Sequence, residues 1–410
     1  MGRRSLALLL LFHLAYEVRG GGYSLYEQSA RAGGLAGAYT AHGRHVSTLY
    51  YNPAGLARLI GWQFYAGTSA LFSQGRFRGP LPYALAVYRT TSPALAWPTV
   101  FAAYGRGIVF GAGLHSPYGF AIRWPRDWPG RGIATDGALR TLFAQLAAAY
   151  SLPDLPVGRL SLGAGLMYGL AAQFRLERAV VDLLPEGALQ IQADLDGPVW
   201  GWSAGLLYEP SPTLGVGLAY RSRMSAELAG PVSTQNLPGS AFPADNRARL
   251  RWRFPDSWSL GLRLSPRKGL TLLADYVWWG WSYFDTLRVD FSKEGALLRD
   301  WALARLYRNS YQVRAGLEYE GPLPRLTLRL GLAFDKNPVP DETLDPTLPD
   351  ADRWIFAGGL SYALSKQLSL ETSYRFARFR ERRNSAAQNG FWGIYNARGD
   401  LLSFGLSLSL

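Results

Sequence analysis

Four histidines are the first residues to test for chemistry: His13, His42, His45 and His115. His115 precedes Ser116, and a base beside a hydroxyl is the raw material of a nucleophile. In an extended segment, though, neighbouring side chains point to opposite faces, so this pair cannot meet without distortion. His42 and His45 have no cluster of matching ligands that would complete a metal site. The chain therefore calls for no catalytic residue, no metal and no cofactor. A lipase built on His115 is the enzymatic alternative, and its mark would be ester hydrolysis lost in His115→Ala.

Arginine is the other reactive group in quantity. The net charge is +13, and only four of the 43 basic residues are lysines (268, 293, 336 and 366). No Lys/Arg run, zinc spacing or recognition helix accompanies this charge, which argues against a nucleic-acid partner. Arg249, Arg251, Arg263, Arg314, Arg329 and Arg375 share the parity of small and polar neighbours. That placement predicts a basic interior; arginine-rich genome composition is the competing account of the same bias.

The elements that position these residues repeat one unit. From Trp62 to Leu410 the chain alternates apolar with small or polar residues in stretches of about ten, as in Leu326-Thr-Leu-Arg-Leu-Gly-Leu-Ala-Phe334. A period of two puts one set on each face of a strand. There are too many such strands for anything else in the chain to cover. A closed barrel with its apolar face in lipid and its polar face lining a lumen satisfies every backbone group. The 46 glycines and 14% aromatic content agree, since aromatics gather at the two membrane interfaces. The absence of cysteine suits an oxidising envelope compartment. The fold class predicted is all-β, an antiparallel transmembrane barrel.

Fourteen strands are expected: 62–73, 94–104, 107–122, 139–151, 158–178, 198–209, 212–229, 247–264, 267–290, 307–320, 324–336, 351–364, 367–384 and 398–410. Tight links at Gly105-Arg106, 153–157, Pro210-Ser211, Pro266, 321–323 and Ser365-Lys366 alternate with long ones at 74–93, 123–138, 179–197, 230–246, 291–306, 337–350 and 385–397. Outer-membrane barrels keep short turns in the periplasm, which puts both chain ends there. Strands five, seven and nine exceed the ~9–11 residues that cross a bilayer, so the wall is expected to rise above it. Leu183, Leu184, Leu189 and Ile191 in one long link, and Leu237 and Phe242 in another, fit either an exposed landing site for a hydrophobic ligand or loops packed on each other.

Residues 1–20 have the order of a secretory signal, with Arg3 and Arg4 ahead of Leu6–Phe12 and glycines at 20–22. Residues 21–61, rich in Gly and Ala, match neither a strand nor a spanning helix. They precede the barrel (62–410), and a bore of this width needs filling if it is not to leak. The segment is either a loose periplasmic tail or a plug, and a plug, or hatch, inside the lumen is expected.

In that segment Tyr50-Tyr51-Asn52-Pro53-Ala54-Gly55-Leu56, preceded by Gly33-Gly34-Leu35-Ala36-Gly37-Ala38-Tyr39, resembles the hatch of the FadL/TodX family of outer-membrane transporters for long-chain fatty acids and other hydrophobic compounds. Ser116-Pro117-Tyr118-Gly119-Phe120, Leu176-Glu177-Arg178, Phe334-Asp335-Lys336-Asn337-Pro338-Val339-Pro340 and Pro349-Asp350-Ala351-Asp352-Arg353 are similar in turn. The resemblance implies a hatch-plugged barrel of fourteen strands. In it a hydrophobic compound, a long-chain fatty acid foremost, diffuses passively to an inner pocket as the hatch moves. It then leaves sideways at an inward kink in the third strand. Asn52, Pro53 and Ala54 carry the hatch motif. Pro117, Tyr118 and Gly119 mark the lateral opening, where proline removes a ladder donor and glycine tolerates a bend; a rim bulge is the alternative. Tyr23 and Leu25 would reach the pocket, and Arg308 and Arg175 would meet a carboxylate through their planar forks, unless they form lumen salt bridges. A monomer in contact with outer-membrane lipid and lipopolysaccharide, inserted by the barrel-assembly machinery, completes the expectation.

Two departures stand out. The chain ends in Leu410, where such barrels usually end in an aromatic residue, and the links after strands five and seven are short for fatty-acid transporters. Uptake of aromatic hydrocarbons or alkanes is therefore the alternative substrate reading. A general porin or a structural barrel would leave the hatch without a purpose.

Overall fold

Fourteen antiparallel passes close on themselves, the outcome that alternation without a covering layer demands. The computed structural model describes residues 21–410 apart from 83–85, 93, 153–155, 157, 181–186, 240 and 322. The expected signal, with His13, and Leu183 and Leu184 lie outside the described residues. The passes are β1 (Gly61–Arg78), β2 (Leu95–Arg106), β3 (Ile108–His115 and Gly119–Arg123), β4 (Asp136–Ser151), β5 (Arg159–Ala179), β6 (Trp200–Ser211) and β7 (Leu214–Arg221 and Met224–Gln235). They continue as β8 (Asn246–Phe254 and Ser257–Arg267), β9 (Leu270–Trp279 and Thr286–Phe291), β10 (Ser310–Glu320), β11 (Leu326–Asp335), β12 (Arg353–Ala363), β13 (Leu368–Phe379 and Arg382–Asn384) and β14 (Gly393–Ser409). Each pairs with the next, and β14 returns to β1 with Gln63 opposite Ser409 and Arg78 opposite Ile394. None of the described helices is long and apolar enough to cross a membrane.

Near the turn end the expected polarity holds. Trp258, Leu260, Leu262 and Leu264 of β8 face outward, while Ser259, Gly261 and Arg263 face the lumen. Outward aromatics rim the top of this band: Trp202 touches Tyr220 and Tyr220 touches Trp258, with ring centroids 4.8 and 4.6 Å apart. Trp62 and Tyr104, 4.5 Å apart, belong to the opposite rim. Such belts sit at headgroup level.

Above the upper belt the polarity inverts. In the first segment of β8, Ala248, Leu250, Trp252 and Phe254 turn inward, while Arg249 and Arg251 turn out. The ladder breaks at Pro255 and Asp256, and the break reverses the phase. Arg249 and Arg251, expected in the lumen, instead pair with Asp196 and Glu227 on the outer surface. In β5 the extra residue Leu170, where the β4–β5 register slips, does the same to Arg175. Its neighbours Phe174 and Leu176 face inward, so Arg175 does not. The wall above the lipid band thus has an apolar inner face.

The long links are more structured than expected. Residues Ala188–Leu195 and Trp301–Ala304 form strands, and β7 runs on to Gln235. Leu189, Ile191 and Phe242 are buried in the main inner cluster and Leu237 packs against it. For these residues the exposed landing site is replaced by inward packing, because the inverted phase points them at the chamber.

The hatch fills the lumen beneath. It holds helix α1 (Ala30–Gly34), helix α2 (Thr48–Tyr51) and a 3₁₀ turn (Pro53–Arg58). Asn52 explains the Asn-Pro-Ala motif: its Oδ1 accepts from Ala54 N at 3.1 Å, capping the turn, and Pro53 supplies a preset φ at its first position. The Asn52 amide donates to Thr40 O (2.9 Å) and to Leu206 O of β6 (3.0 Å), tying the hatch to the wall. Gly34 lies against Gly359 of β12 so closely that a Cβ would touch backbone. Gly61, with φ +70°, turns the hatch into β1.

Candidate functional site

Over the hatch, the inward apolar faces of β5, β8 and β9 enclose a chamber. Phe120, Phe174, Leu176, Trp252, Phe284, Leu287, Val289, Trp301 and Leu303 line it, with Thr347, Leu348 and Arg305. The link between β11 and β12 folds in to cap it: Leu344 and Leu348 are buried, and Trp124 Nε1 donates to Pro346 O at 3.1 Å. The free volume is only about 10 Å³, roughly that of one water-sized sphere. Entry of any larger molecule requires a lining group to move.

Polar groups at this chamber are few. Arg305 is buried, pairs with Asp345 at 2.8 Å and donates to Thr347 Oγ1 at 3.1 Å, yet its Nε has no partner. The Arg178 guanidinium lies 4.7 Å from the centre of the Trp301 ring. Its Nε is buried without a hydrogen bond, and among the described residues it has no carboxylate partner. The indole N–H of Trp301 is likewise unmatched. Buried donors without acceptors are costly, and together they suit an oxyanion.

Beside the chamber the wall is interrupted. Pairing of β2 with β3 stops at Val100 opposite Leu114. The second segment of β3 pairs only with β4. Between them Ser116, Pro117 and Tyr118 leave the ladder, so β3 is broken where a kink or a rim bulge was expected. Residues 23–25 fill the gap: Leu25 N donates to Pro117 O at 2.8 Å and Gly119 N donates to Tyr23 O at 2.9 Å. Ser24 and Tyr118 form the bridge between these bonds. Leu25 packs with Leu71, Leu95, Trp97 and Leu401 across the opening. The Tyr23 ring meets Tyr118, Trp252, Phe254, Trp281 and Phe284 edge-on, and its hydroxyl donates to Arg253 O. Burial pushes this phenol up from its ordinary value.

Carboxylates of the wall hold the hatch below. Asp275 of β9 accepts from Tyr39 N, Thr40 N and Thr40 Oγ1 at 2.7–2.9 Å. Glu371 of β13 pairs with Arg31 (3.1 Å), and Glu318 of β10 bridges His42 (3.2 Å) and Arg329 (2.7 Å). Glu209 pairs with Arg263 and with Arg58, and Glu27 with Arg375. Of the arginines expected inside, Arg263, Arg329 and Arg375 form lumen salt bridges, while Arg314 bonds Gly37 O at 2.9 Å and stacks on Tyr26. His45 bonds Ser47 and Ser407, each at 2.8 Å; burial lowers its pKa to about 3 and lowers that of His42 as well.

Of the residues singled out in the sequence, the structure brings Tyr23, Leu25, Pro117, Tyr118 and Gly119 together, with Asn52, Pro53 and Ala54 beneath. Arg175 pairs with Glu177 (3.3 Å) and Asp136 (3.7 Å) on the other face of β5. Arg308 is exposed and pairs with Glu342 at 3.5 Å, away from the chamber. His115 bonds Gln145 at 2.9 Å rather than Ser116. Arg178 and Arg305 were missed; parity counted from the break in each strand, rather than from its start, would have found Arg178.

A family profile described as "Outer membrane protein transport protein (OMPP1/FadL/TodX)" matches residues 11–402. The long-chain fatty acid transport protein of Salmonella typhi is 25% identical over 390 residues, 87% of each chain. That of Escherichia coli K12 is 24% identical over 401 residues, again 87% of each. Among solved structures, a Pseudomonas aeruginosa FadL homologue superposes with a TM-score of 0.79 at 19% identity, over 95% of this chain and 99% of that one. The Ralstonia pickettii toluene transporter TbuX gives 0.68 at 18% identity, over 91% and 97%. These likenesses to structures concern the fold.

Proposed function

Because the chain belongs to the OMPP1/FadL/TodX family of outer-membrane transport proteins, which are channels and not enzymes, we propose that its cargo is a long-chain fatty acid or a similar amphiphile. The observation that carries this reading is the apolar chamber with Arg305 in its lining and Arg178 over the Trp301 ring, each with an unmatched donor, next to a lateral gap filled by residues 23–25. A carboxylate satisfies Arg178 and the Arg305 Nε; a hydrocarbon leaves both desolvated and unpaired. The relatives named for long-chain fatty acid transport point the same way.

The ligand enters from the loop end, which faces the cell exterior, while both termini lie in the periplasm. Burying a sixteen-carbon chain at ~0.8 kcal/mol per CH₂ gains on the order of 10 kcal/mol before entropic costs. Release therefore requires the chamber to loosen. Withdrawal of Tyr23 and Leu25, with the hatch, opens the strand-3 gap and lets the ligand leave sideways without an energy source. Outer-membrane lipid and lipopolysaccharide surround the apolar band, and the barrel-assembly machinery inserts a wall ending in Leu410. We read the protein as a monomer with residues 1–20 as its signal.

Uptake of radiolabelled oleate by cells lacking their own fatty-acid transporter tests this. Uptake should appear with the protein, and fall when Pro117 and Gly119 are replaced to straighten β3. A small monoaromatic is the second reading, favoured by the aromatic lining and the narrow free volume; toluene entry without oleate entry would establish it. Free entry of a hydrophilic sugar would mean a porin.

A further inference from the structure

Two of the interrupted passes are joined by one side chain at the level of the chamber. The first break is at Ser116–Tyr118 in β3. The second is at Pro255–Asp256 in β8, where pairing with the upper segment of β9 has already stopped at Leu250 opposite Val289. Carbonyls near that second break have lost their ladder partners on this side. Tyr118, buried, crosses the lumen and its hydroxyl donates to Pro255 O at 3.1 Å. Its ring stacks on Phe254 with centroids 4.6 Å apart. On the near side, Thr141 Oγ1 of β4 donates to Tyr118 O at 2.6 Å, and residues 23–25 bridge Tyr118 through Ser24.

We infer that Tyr118 is a positioning residue of the lateral opening: its hydroxyl clamps the strand-3 interruption to the strand-8 interruption and so sets how often the gap opens. The clamp is chemically specific. The ladders on both sides skip Pro255, ending at Phe254 or Leu250 and resuming at Ser257, so its carbonyl has no strand partner. The free carbonyl needs a side-chain donor, and a phenol on the facing break supplies it. Because Pro255 follows Trp252 and Phe254, which line or adjoin the chamber, a ligand that shifts this corner also pulls on the clamp. The gap then responds to occupancy, not only to residues 23–25.

The inference rests on the strand-3 gap being the exit, and the test separates the two ideas. The natural chain has no cysteine, so Leu95→Cys, on the rim of the gap, gives a single reporter site. Its maleimide labelling rate in outer membranes reads opening directly, and oleate uptake reads transport. In Tyr118→Phe the labelling rate should rise about tenfold, the population shift expected from one lost neutral hydrogen bond. Maximal uptake should change while the half-saturating concentration stays fixed, a split that general loosening of the chamber would not give. Thr141→Val frees the same residue from the other side and should act in the same direction, so a folding failure in one variant leaves the other decisive. Unchanged labelling in a heat-modifiable, folded Tyr118→Phe barrel would overturn the clamp. Faster labelling with unchanged uptake would uphold the clamp and overturn the lateral route.

Discussion

At the scale of single residues, function turns on which buried charges have partners. Arg263 and Arg329 pair with carboxylates of neighbouring wall strands, and Arg375 pairs with Glu27 of the hatch, so each has its charge matched. Among the described residues Arg178 faces an aromatic ring and no carboxylate. Arg178→Gln should therefore raise the half-saturating oleate concentration at least tenfold, the usual size of a charged hydrogen bond, and leave toluene entry unchanged. Equal loss for both ligands would assign Arg178 to packing. The hatch histidines make a second prediction. Burial holds His45 at about 3 and also lowers His42, against an ordinary value near ~6.5. A group with a depressed pKa in the docked state takes up its proton more readily once released, so its contribution is intact above pH ~6.5 and is lost as pH falls toward about 3. Asp350, raised to about 6 by burial, contributes with the opposite sign: its share is present at low pH and is lost as pH rises through about 6. The fall of His45 to about 3 exceeds the rise of Asp350 to about 6, so the docked hatch loosens as pH falls. Protection factors in residues 30–58, taken relative to the intrinsic exchange rate at each pH, should fall between pH ~6.5 and ~4, and less so in His45→Gln, which keeps polar contact with the serines.

At the scale of elements, the broken strands matter more than the regular ones. An unbroken β3 would pair with β2 along its length and seal the wall. An unbroken β8 would carry its apolar face outward to the rim and leave the chamber lined with arginine. Both breaks contain proline, at 117 and 255, which removes a ladder donor and fixes φ. The hatch depends on Asp275, which collects two backbone N–H groups and a hydroxyl at the turn before His42. Asp275→Asn keeps the shape but not the acceptor geometry on every side. It should destabilise hatch docking by roughly 1–3 kcal/mol, seen as faster exchange at Tyr39 and Thr40 with the barrel still heat-modifiable. The alternation of strands was legible from the sequence because a period of two needs no tertiary information. The phase reversals were not, since the alternation continues on both sides of Leu170 and of Pro255-Asp256, and the slip shows only once a partner's register is known. That is why Arg249, Arg251 and Arg175 were expected inside.

At the scale of the whole molecule, the barrel places one end's turns and the other end's links on opposite sides of an apolar band. An epitope inserted in the link between β13 and β14 should be reached by antibody on intact cells, and one between β12 and β13 should not. The reverse result would invert the protein and require both termini outside. The sequence by itself determined the number of passes, the apolar belt, the alternation of short and long connections, and a Gly/Ala-rich segment with the Asn-Pro-Ala turn that fits neither a strand nor a spanning helix. These follow from local periodicity and from the rule that no backbone polar group goes unpaired in lipid. Only the tertiary structure decided which arginines meet the chamber, which residues fill the gap in β3, and how far the chamber is closed. Those depend on where long-range pairing stops. One slipped residue moves every later side chain to the other face, and a hydrogen bond such as that between Tyr118 and Pro255, far apart in the chain, leaves no mark on the local pattern of either segment.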